Sequence, residues 1–524
     1  MLLTWSLCRC QPQRAHPRFL GCADPKVAGW ACHLRRQHDR RIEIADRCIA
    51  TADEGTIVTT TTEPHVLGSL DTAIDGRVIR PGDAGWHDAR RAWNLAIDQH
   101  PAAVVCAAGA ADIAATVRHA RAAGLAVAAQ PGGHGAIPYG VDGAVLVRTS
   151  ALRDIEIDVA GRTARVGAGV KWGTLLSQLD GTGLIALAGS NPDVSVVGYT
   201  LGGGLSWFSR KYGPAAQTVR AVELVDADAA LVRVTQESDP ELFWALRGGG
   251  GDFGIVTAIE IDLFPEQTII GGKLMFPVEQ SAAVFSAFTE LTQVAPRELT
   301  IWAGLMHFPP LPVLPEPIRG RSFAVIDTTY LGTEQAAEAL LWTLRAAGAP
   351  VQDTVGPVPI DRLGEVAQEP VDPTPGVEHA LLLHKFDQNT AARLLAVAGS
   401  ATGTPLAGVT VRHLGGAFAD PDRALAERHG GTPPGVASRI EQPYLVHAVG
   451  VPASPESMTA LTSAFADLAD ALAPDAVDEA PFNFLGTRSL RDAYPPEAID
   501  RLQAIKRERD PHGVFRSNRP VLDA

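Results

Sequence analysis

The chain has 524 residues, more than one hydrophobic core usually organises, so we expect two packed lobes. Hydrophobic residues make up 46% and charged residues 20% of the chain, values that exclude a disordered or fibrous protein. The formal net charge of −14 argues against a nucleic-acid partner, because phosphate backbones are bound through basic patches. No apolar stretch is long enough to cross ~30 Å of hydrocarbon, so we predict no membrane span.

The first fifty residues contain five of the six cysteines. They are Cys8, Cys10, Cys22, Cys32 and Cys48; only Cys106 follows, so the body of the chain is not a disulfide scaffold. The spacing of the first four matches no regular pair of zinc-ligand knuckles, and we predict no metal. We interpret residues 1–66 as a disordered or misassigned leader. Because its apolar run is too short for a secretory signal, we predict a cytoplasmic protein.

Turn residues and apolar periodicity place the predicted elements of the first lobe. In chain order they are a turn at 80–83 before a helical run, a strand at 102–106, a helix capped by Asp112 and ended by Gly124, and strands at 125–129, 144–147, 155–158 and 163–166. They continue with a helix from Trp172 to Gly181, a hairpin around 226–229, and a helix that begins at Asp239-Pro240. Proline-rich connections then mark a second lobe, and a charged helix is predicted at 496–509.

Three glycine-rich segments are candidates for binding an anion. They are residues 132–135, 202–204 and 248–251, the last followed by Gly254. A missing Cβ lets backbone amides approach an anion closely, which suits a diphosphate in an acidic protein. None of them is a Gly-x-Gly-x-x-Gly fingerprint or a P-loop, and each could equally be a tight turn. Their grouping around His134 favours the ligand-binding interpretation.

Longer motifs carry a family resemblance. They are Pro131-Gly132-Gly133-His134, Gly167-Ala168-Gly169 with Trp172, the run 198–213, the string 239–256, and a tail with Asn483-Phe484, Asp510-Pro511 and residues 515–518. With these residues the chain resembles the berberine-bridge-enzyme-like branch of the vanillyl-alcohol-oxidase flavoproteins. The resemblance implies an α+β fold with a two-subdomain PCMH-type FAD-binding lobe and a substrate lobe whose antiparallel sheet is backed by helices.

The same resemblance implies domain limits and a cofactor. The FAD-binding domain would span 67–265, the substrate-binding domain 266–475, and a C-terminal segment, 476–524, would return to the FAD lobe. FAD would be bonded through its 8α-methyl carbon to His134. The implied cofactor-binding residues are His134, Pro131, Gly132, Gly133, Gly135, Gly189, Ser190, Gly198, Tyr199, Gly202, Gly203, Gly204, Gly254, Ile255, Val256, Asn483 and Asn518.

Three positions depart from the family pattern. Asn191 stands where some members carry a second flavin-linked cysteine, so we predict a single covalent bond. Gln130 replaces a usual arginine, which removes one possible phosphate charge. Pro481 replaces a frequent tyrosine beside the substrate, so the residue that accepts the substrate proton has to be sought elsewhere.

The predicted reaction is oxidation of an alcohol or amine carbon in a small organic substrate. Hydride would pass to flavin N5 while a base takes the heteroatom proton, and molecular oxygen would reoxidise the flavin. The second lobe offers His307, Tyr330, Tyr444 and His447 as candidate bases. The composition, rich in Ala, Arg, Gly and Pro, fits a role in bacterial secondary metabolism. A dehydrogenase of the same family with another electron acceptor and a flavin-binding protein with little turnover are the alternatives.

Overall fold

A computed structural model describes residues 68–266, 268–399, 403–421 and 432–522. The predictions for the leader and its cysteines fall outside these residues. The described residues belong to one compact unit, and none of their helices has the length and apolarity to cross a bilayer.

The helices and strands alternate irregularly along the chain. The strands are β1 Arg77–Ile79, β2 Ala103–Cys106, β3 Val127–Ala129, β4 Val145–Arg148, β5 Ile155–Asp158, β6 Thr163–Gly167, β7 Leu184–Ile185, β8 Val219–Val225, β9 Leu231–Val234, β10 Ile255–Asp262, β11 Phe264–Pro265, β12 Ile270–Pro277, β13 Leu299–His307, β14 Ser322–Tyr330, β15 Gln352–Asp353, β16 Gly356–Pro357, β17 Val377–Leu383, β18 Gly408–His413, β19 Tyr444–Gly450 and β20 Ala476–Val477. The described α-helices are α1 Trp86–Arg90, α2 Ala110–Ala122, α3 Trp172–Leu179, α4 Val196–Leu201, α5 Ser209–Tyr212, α6 Pro240–Leu246, α7 Ser281–Thr292, α8 Glu334–Ala346, α9 Gln388–Ala398, α10 Pro455–Leu472 and α11 Pro496–Arg509.

The first sheet is built on the predicted strand-helix-strand unit. Its order is β1-β2-β4-β3, with β2, β4 and β3 parallel and β1 antiparallel at the edge. Helix α2 buries Ile113, Val117 and Ala120 against the sheet, as its periodicity predicts. The prediction that Asp112 caps α2 is wrong, since the helix begins at Ala110. The Asp112 carboxylate instead accepts hydrogen bonds from three backbone amides, those of Asp75, Gly76 and Ala108.

The second sheet is antiparallel and has the order β5-β6-β10-β8-β9. The predicted hairpin joins β8 to β9. Helix α6 begins as its sequence predicts: the Asp239 side chain accepts a hydrogen bond from the Leu242 amide at 3.1 Å, and Pro240 occupies the first turn. Helix α3 packs Trp172, Leu175, Leu176 and Leu179 into the core of this lobe.

A nine-stranded antiparallel sheet forms the rest of the fold. Its main path is β15-β12-β14-β13-β18-β19-β17-β20, with β16 beside β12. Side chains alternate between its two faces, and Ile301 and Ala303 on β13 pack into a core that includes residues of α7, α8, α9 and α10. Trp302, between them, belongs to the core of the first lobe. The predicted α+β fold, with a helix-backed antiparallel sheet, is therefore confirmed, whereas the predicted domain limits stay a prediction.

The C-terminal segment packs against both sheets of the first lobe. The backbone of β3 exchanges hydrogen bonds with Val514 and Arg516. The Lys506 ammonium, buried on α11, donates to the Asp252 and Phe515 carbonyls at 2.5 and 2.9 Å and to the Asp510 carboxylate at 2.8 Å. These bonds fasten α11 to the residues that follow the third glycine segment.

We predict that Lys506→Met destabilises the protein by about 3–5 kcal/mol, because buried carboxylates lose their cation. Urea unfolding monitored by circular dichroism measures the change. Arg362→Gln is the control, since Arg362 pairs with Glu365 at the surface and its loss should leave the urea midpoint nearly unchanged. Equal urea-unfolding midpoints for the two variants would contradict the prediction.

Candidate functional site

The first glycine segment follows β3 in a conformation that requires glycine. Gly133 has φ of +91°, and a Cβ there would lie 2.9 Å from Gln130 Oε1 and 3.0 Å from the Ala92 Cα. Behind the segment, the Arg148 guanidinium donates to Gln130 Oε1 at 2.9 Å and to the Gln130 carbonyl at 3.1 Å. Burial lowers the pKa of Arg148 to about 10. Gln130 therefore anchors the segment from inside the protein.

His134 is held on two sides. Its ring stacks on Trp93 with centroids 4.0 Å apart and planes 17° from parallel. Its Nε2 lies 3.4 Å from Asp193 Oδ2. Burial lowers the pKa of His134, although the hydrogen bond and charge of Asp193 oppose the shift, so the imidazole is neutral at physiological pH.

The backbone amides of this segment form an open set of donors. Within the described residues, no acceptor pairs with the N–H groups of Gly132, Gly133, His134 or Gly135. At Gly135 an added Cβ would meet nothing within 4 Å. Gly133 is buried and Gly132 and His134 are half-buried, so their unpaired amides are costly, and an anion satisfies them. This donor set fits a phosphate group.

The second glycine segment surrounds an aromatic side chain. The Ser195 hydroxyl caps α4 by accepting from the Gly198 amide at 3.3 Å. The Tyr199 ring then lies between Gly189 and Gly204, where added Cβ atoms would be 2.9 and 2.5 Å from ring carbons. The Tyr199 hydroxyl is buried without a hydrogen-bond partner among the described residues. Burial raises the pKa of Tyr199 well above its ordinary value.

Tail residues reach both glycine segments. Asn483 Nδ2 donates to the Tyr199 carbonyl at 3.0 Å, and its side chain occupies the space that a Cβ at Gly202 would take. Asn518 Nδ2 donates to the Gly135 carbonyl at 2.7 Å. The structure thus brings together residues that the sequence separates by more than 280 positions.

The third glycine segment serves protein packing instead of an open cleft. The space beside Gly248 is filled by Ala437, and the space beside Gly250 by the Phe482 ring, 2.7 Å from an added Cβ. Gly254 lies against Leu224, while Ile255 and Val256 are buried in the core of β10. The amide of Gly250 donates to the Leu201 carbonyl at 2.9 Å, which joins this segment to the second one.

The remaining departures from the family pattern have structural uses. Asn191 donates to the Pro370 carbonyl at 2.8 Å and accepts from the Asp193 amide at 2.8 Å. It therefore ties a proline-rich loop to the surroundings of His134. Pro481 caps a short 3₁₀ helix, Phe482–Phe484, which orients Phe482 and Asn483 toward the glycine segments.

Most of the candidate bases lie on the helix-backed face of the large sheet. His307 Nε2 donates to the carbonyl of Ala398 in α9 at 3.0 Å, and Tyr444 contacts the Thr292 hydroxyl of α7 at 2.9 Å. Tyr330 packs against the same helix-backed core. These three do not face the glycine segments. His447 lies on the opposite face, beside Phe484 at a centroid distance of 5.1 Å.

The face toward the first lobe carries a group that sequence reasoning missed. Lys273, Asp327, Trp302 and Arg412 are paired directly across β12, β14, β13 and β18, and we call them the cross-strand row. Lys273 Nζ donates to Asp327 Oδ1 at 2.5 Å. The Arg412 guanidinium lies 4.0 Å from the Trp302 ring, which stacks on Trp207 at 3.9 Å. Charged residues inside otherwise apolar strands were the available signal.

A carboxylate and an imidazole extend this row. His447 Nε2 lies 3.0 Å from Glu378 Oε2, and its Nδ1 lies 3.3 Å from Arg412 Nη2. Although burial opposes ionisation, the hydrogen bond from His447 and the charges of Arg519 and Arg412 hold the pKa of Glu378 below its ordinary value. Glu378 is therefore an ionised hydrogen-bond acceptor at neutral pH.

Comparison with known proteins agrees with this geometry. A family model described as FAD binding domain matches residues 101–235. The chain is 29% identical over 462 residues to (R)-6-hydroxynicotine oxidase of Paenarthrobacter nicotinovorans. The aligned residues cover 85% of this chain and 96% of the relative. The structure of 6-hydroxy-D-nicotine oxidase from Arthrobacter nicotinovorans has a TM-score of 0.72 at 25% identity, over 84% of this chain and 97% of that one. BBE-like 1 from Physcomitrella patens shares the fold, with a TM-score of 0.74 at 20% identity, over 88% and 100% of the two chains.

We predict that Gly133→Ala abolishes FAD binding, because the left-handed backbone and the contacts with Gln130 and Ala92 exclude a side chain. FAD titration of the apoprotein measures the loss, and circular dichroism tests whether the fold persists. Gly109→Ala is the matched control, since its backbone is extended and an added Cβ meets nothing within 4 Å. Unchanged FAD affinity in Gly133→Ala would refute the proposed role of this loop.

Proposed function

Because this chain is an FAD-linked oxidoreductase with the fold of the berberine-bridge-enzyme-like, PCMH-type flavoproteins, we propose that it is an oxidase of small alcohols or amines. Molecular oxygen would be the final electron acceptor. The proposal rests on the open set of amides around His134 and on the cross-strand row, which lies on the sheet face toward the first lobe.

The residues around His134 and Tyr199 would hold the cofactor. The amides of Gly132, Gly133 and Gly135 suit the diphosphate, and the unpartnered Tyr199 hydroxyl suits a polar group of the ring. Gly189, Ser190, Gly198 and the 202–204 segment would border the ring, with Asn483 and Asn518 closing the site from the tail. Pro131, Gly254, Ile255 and Val256 would support these elements. We further propose one covalent bond, to His134.

Residues of the large sheet would bind the substrate and take its proton. When bound, FAD supplies a hydride acceptor at N5. Trp302, Arg412 and their neighbours in the row would bind and orient the substrate. The Glu378–His447 pair would take the proton from the substrate hydroxyl or amine, with Glu378 Oε1 as the receiving atom, since Oε2 is engaged by His447.

The reaction is tested by mixing the holoprotein anaerobically with a panel of alcohols and amines. An oxidase loses its yellow absorbance with a substrate, and then consumes oxygen and releases peroxide when air is admitted. Glu378→Gln should slow bleaching by roughly 10²- to 10⁴-fold, while Glu497→Gln on the exposed side of α11 should not change it. Bleaching without oxygen consumption would indicate a dehydrogenase. No bleaching with any donor would contradict an oxidoreductase role for this site.

Covalent attachment is tested by acid precipitation of the purified protein. We expect the yellow colour to stay in the wild-type pellet and to move to the supernatant in His134→Ala, because that variant lacks the bonding nitrogen. His100→Ala, at an exposed histidine outside the site, is the control and should keep its colour in the pellet. Colour in the supernatant of the wild-type sample would refute a covalent bond.

A further inference from the structure

Asp193 is placed to control the chemistry of His134. Its Oδ2 lies 3.4 Å from His134 Nε2, and its Oδ1 forms an ion pair with the Lys171 ammonium. The side chains of His134 and Asp193 are 20% and 22% exposed, so this contact is largely shielded from solvent. A charged carboxylate at this distance from one ring nitrogen makes the two nitrogens of the imidazole unequal.

The partners of His134 are themselves fixed. The Asp193 amide donates to Asn191 Oδ1 at 2.8 Å, and Lys171 pairs with Ser195 through a backbone bridge. On the other side of the ring, the Trp93 amide donates to the Gly132 carbonyl at 2.9 Å, and its indole N–H donates to the Val371 carbonyl at 3.2 Å. The ring of His134 therefore has little freedom to turn between Trp93 and Asp193.

We propose that Asp193 is a positioning residue that prepares His134 for flavin attachment and directs the bond to Nδ1. The carboxylate accepts the Nε2–H and so fixes the tautomer whose lone pair is on Nδ1. Lys171 forms an ion pair with the other carboxylate oxygen and holds the carboxylate in place. This inference rests on the proposed covalent bond and adds to it the residue that orients the histidine.

Flavin attachment is a two-electron oxidation, and dioxygen is its final oxidant. One C–N bond forms between His134 Nδ1 and the 8α carbon, while one methyl C–H bond and the imidazole Nε2–H bond break. Asp193 receives the Nε2 proton and passes it on to the medium. The isoalloxazine would be reduced by two electrons with uptake of two protons. Dioxygen would then accept the two electrons and the two protons and leave as hydrogen peroxide.

The test reconstitutes apoprotein with FAD in air and follows attachment by flavin fluorescence of the protein band on denaturing gels. We expect Asp193→Asn to bind FAD with unchanged affinity but to attach it at least tenfold more slowly. Its rate should rise with pH, because hydroxide replaces the lost carboxylate, and Asp193→Glu should recover part of the rate. Asp228→Asn, at a side chain that is 85% exposed, should match the wild type.

The bonded nitrogen is identified independently by NMR of the flavin peptide released from the wild-type protein by proteolysis. We expect the Nδ1 isomer. Wild-type attachment rates in Asp193→Asn, or a bond to Nε2, would overturn the role of Asp193 while leaving the oxidase proposal intact. Wild-type protein that never attaches flavin would overturn both the covalent bond and this inference. If Asp193→Asn fails to fold, the linkage isomer of the wild-type protein alone tests the role of Asp193.

Discussion

The site depends on the absence of side chains at a few positions where neighbouring elements meet. Tyr199 fits only because Gly189 and Gly204 leave room on both sides of its ring, and Asn483 fits only because Gly202 lacks a Cβ. Gly133 adds a backbone conformation that other residues rarely adopt. These close approaches bring the histidine loop, helix α4 and the C-terminal tail into one site.

The close approach of backbone amides also allows an acidic chain to bind an anion such as a diphosphate. The chain has a net charge of −14, and Arg148, a buried guanidinium behind the loop, already bonds to backbone carbonyls and Gln130. Backbone amides supply partial positive charge without a side chain. On the large sheet, Arg412 and Glu378 lie on either side of His447.

The sequence predicted local features well and cross-strand ones poorly. The start of α6 at Asp239-Pro240 and the bounds of α11 follow from residues adjacent in the chain. The prediction that Asp112 caps α2 was wrong because its carboxylate accepts from two amides that are distant in sequence, those of Asp75 and Gly76, and from the nearby amide of Ala108. The glycine run 248–251 matched a binding loop by composition, yet Ala437 and Phe482 occupy its space. The cross-strand row could not be found because its register pairs residues 25 to 110 positions apart, a property of the sheet alone.

The proposed bond between FAD and His134 lies within this glycine-bordered site. Peptide mapping of the denatured holoprotein by mass spectrometry tests it most directly. We expect that one proteolytic peptide, the one that contains His134, carries the added mass of FAD and that fragmentation places this mass on the histidine. Finding that peptide unmodified in protein that is saturated with flavin would contradict a covalent bond to His134.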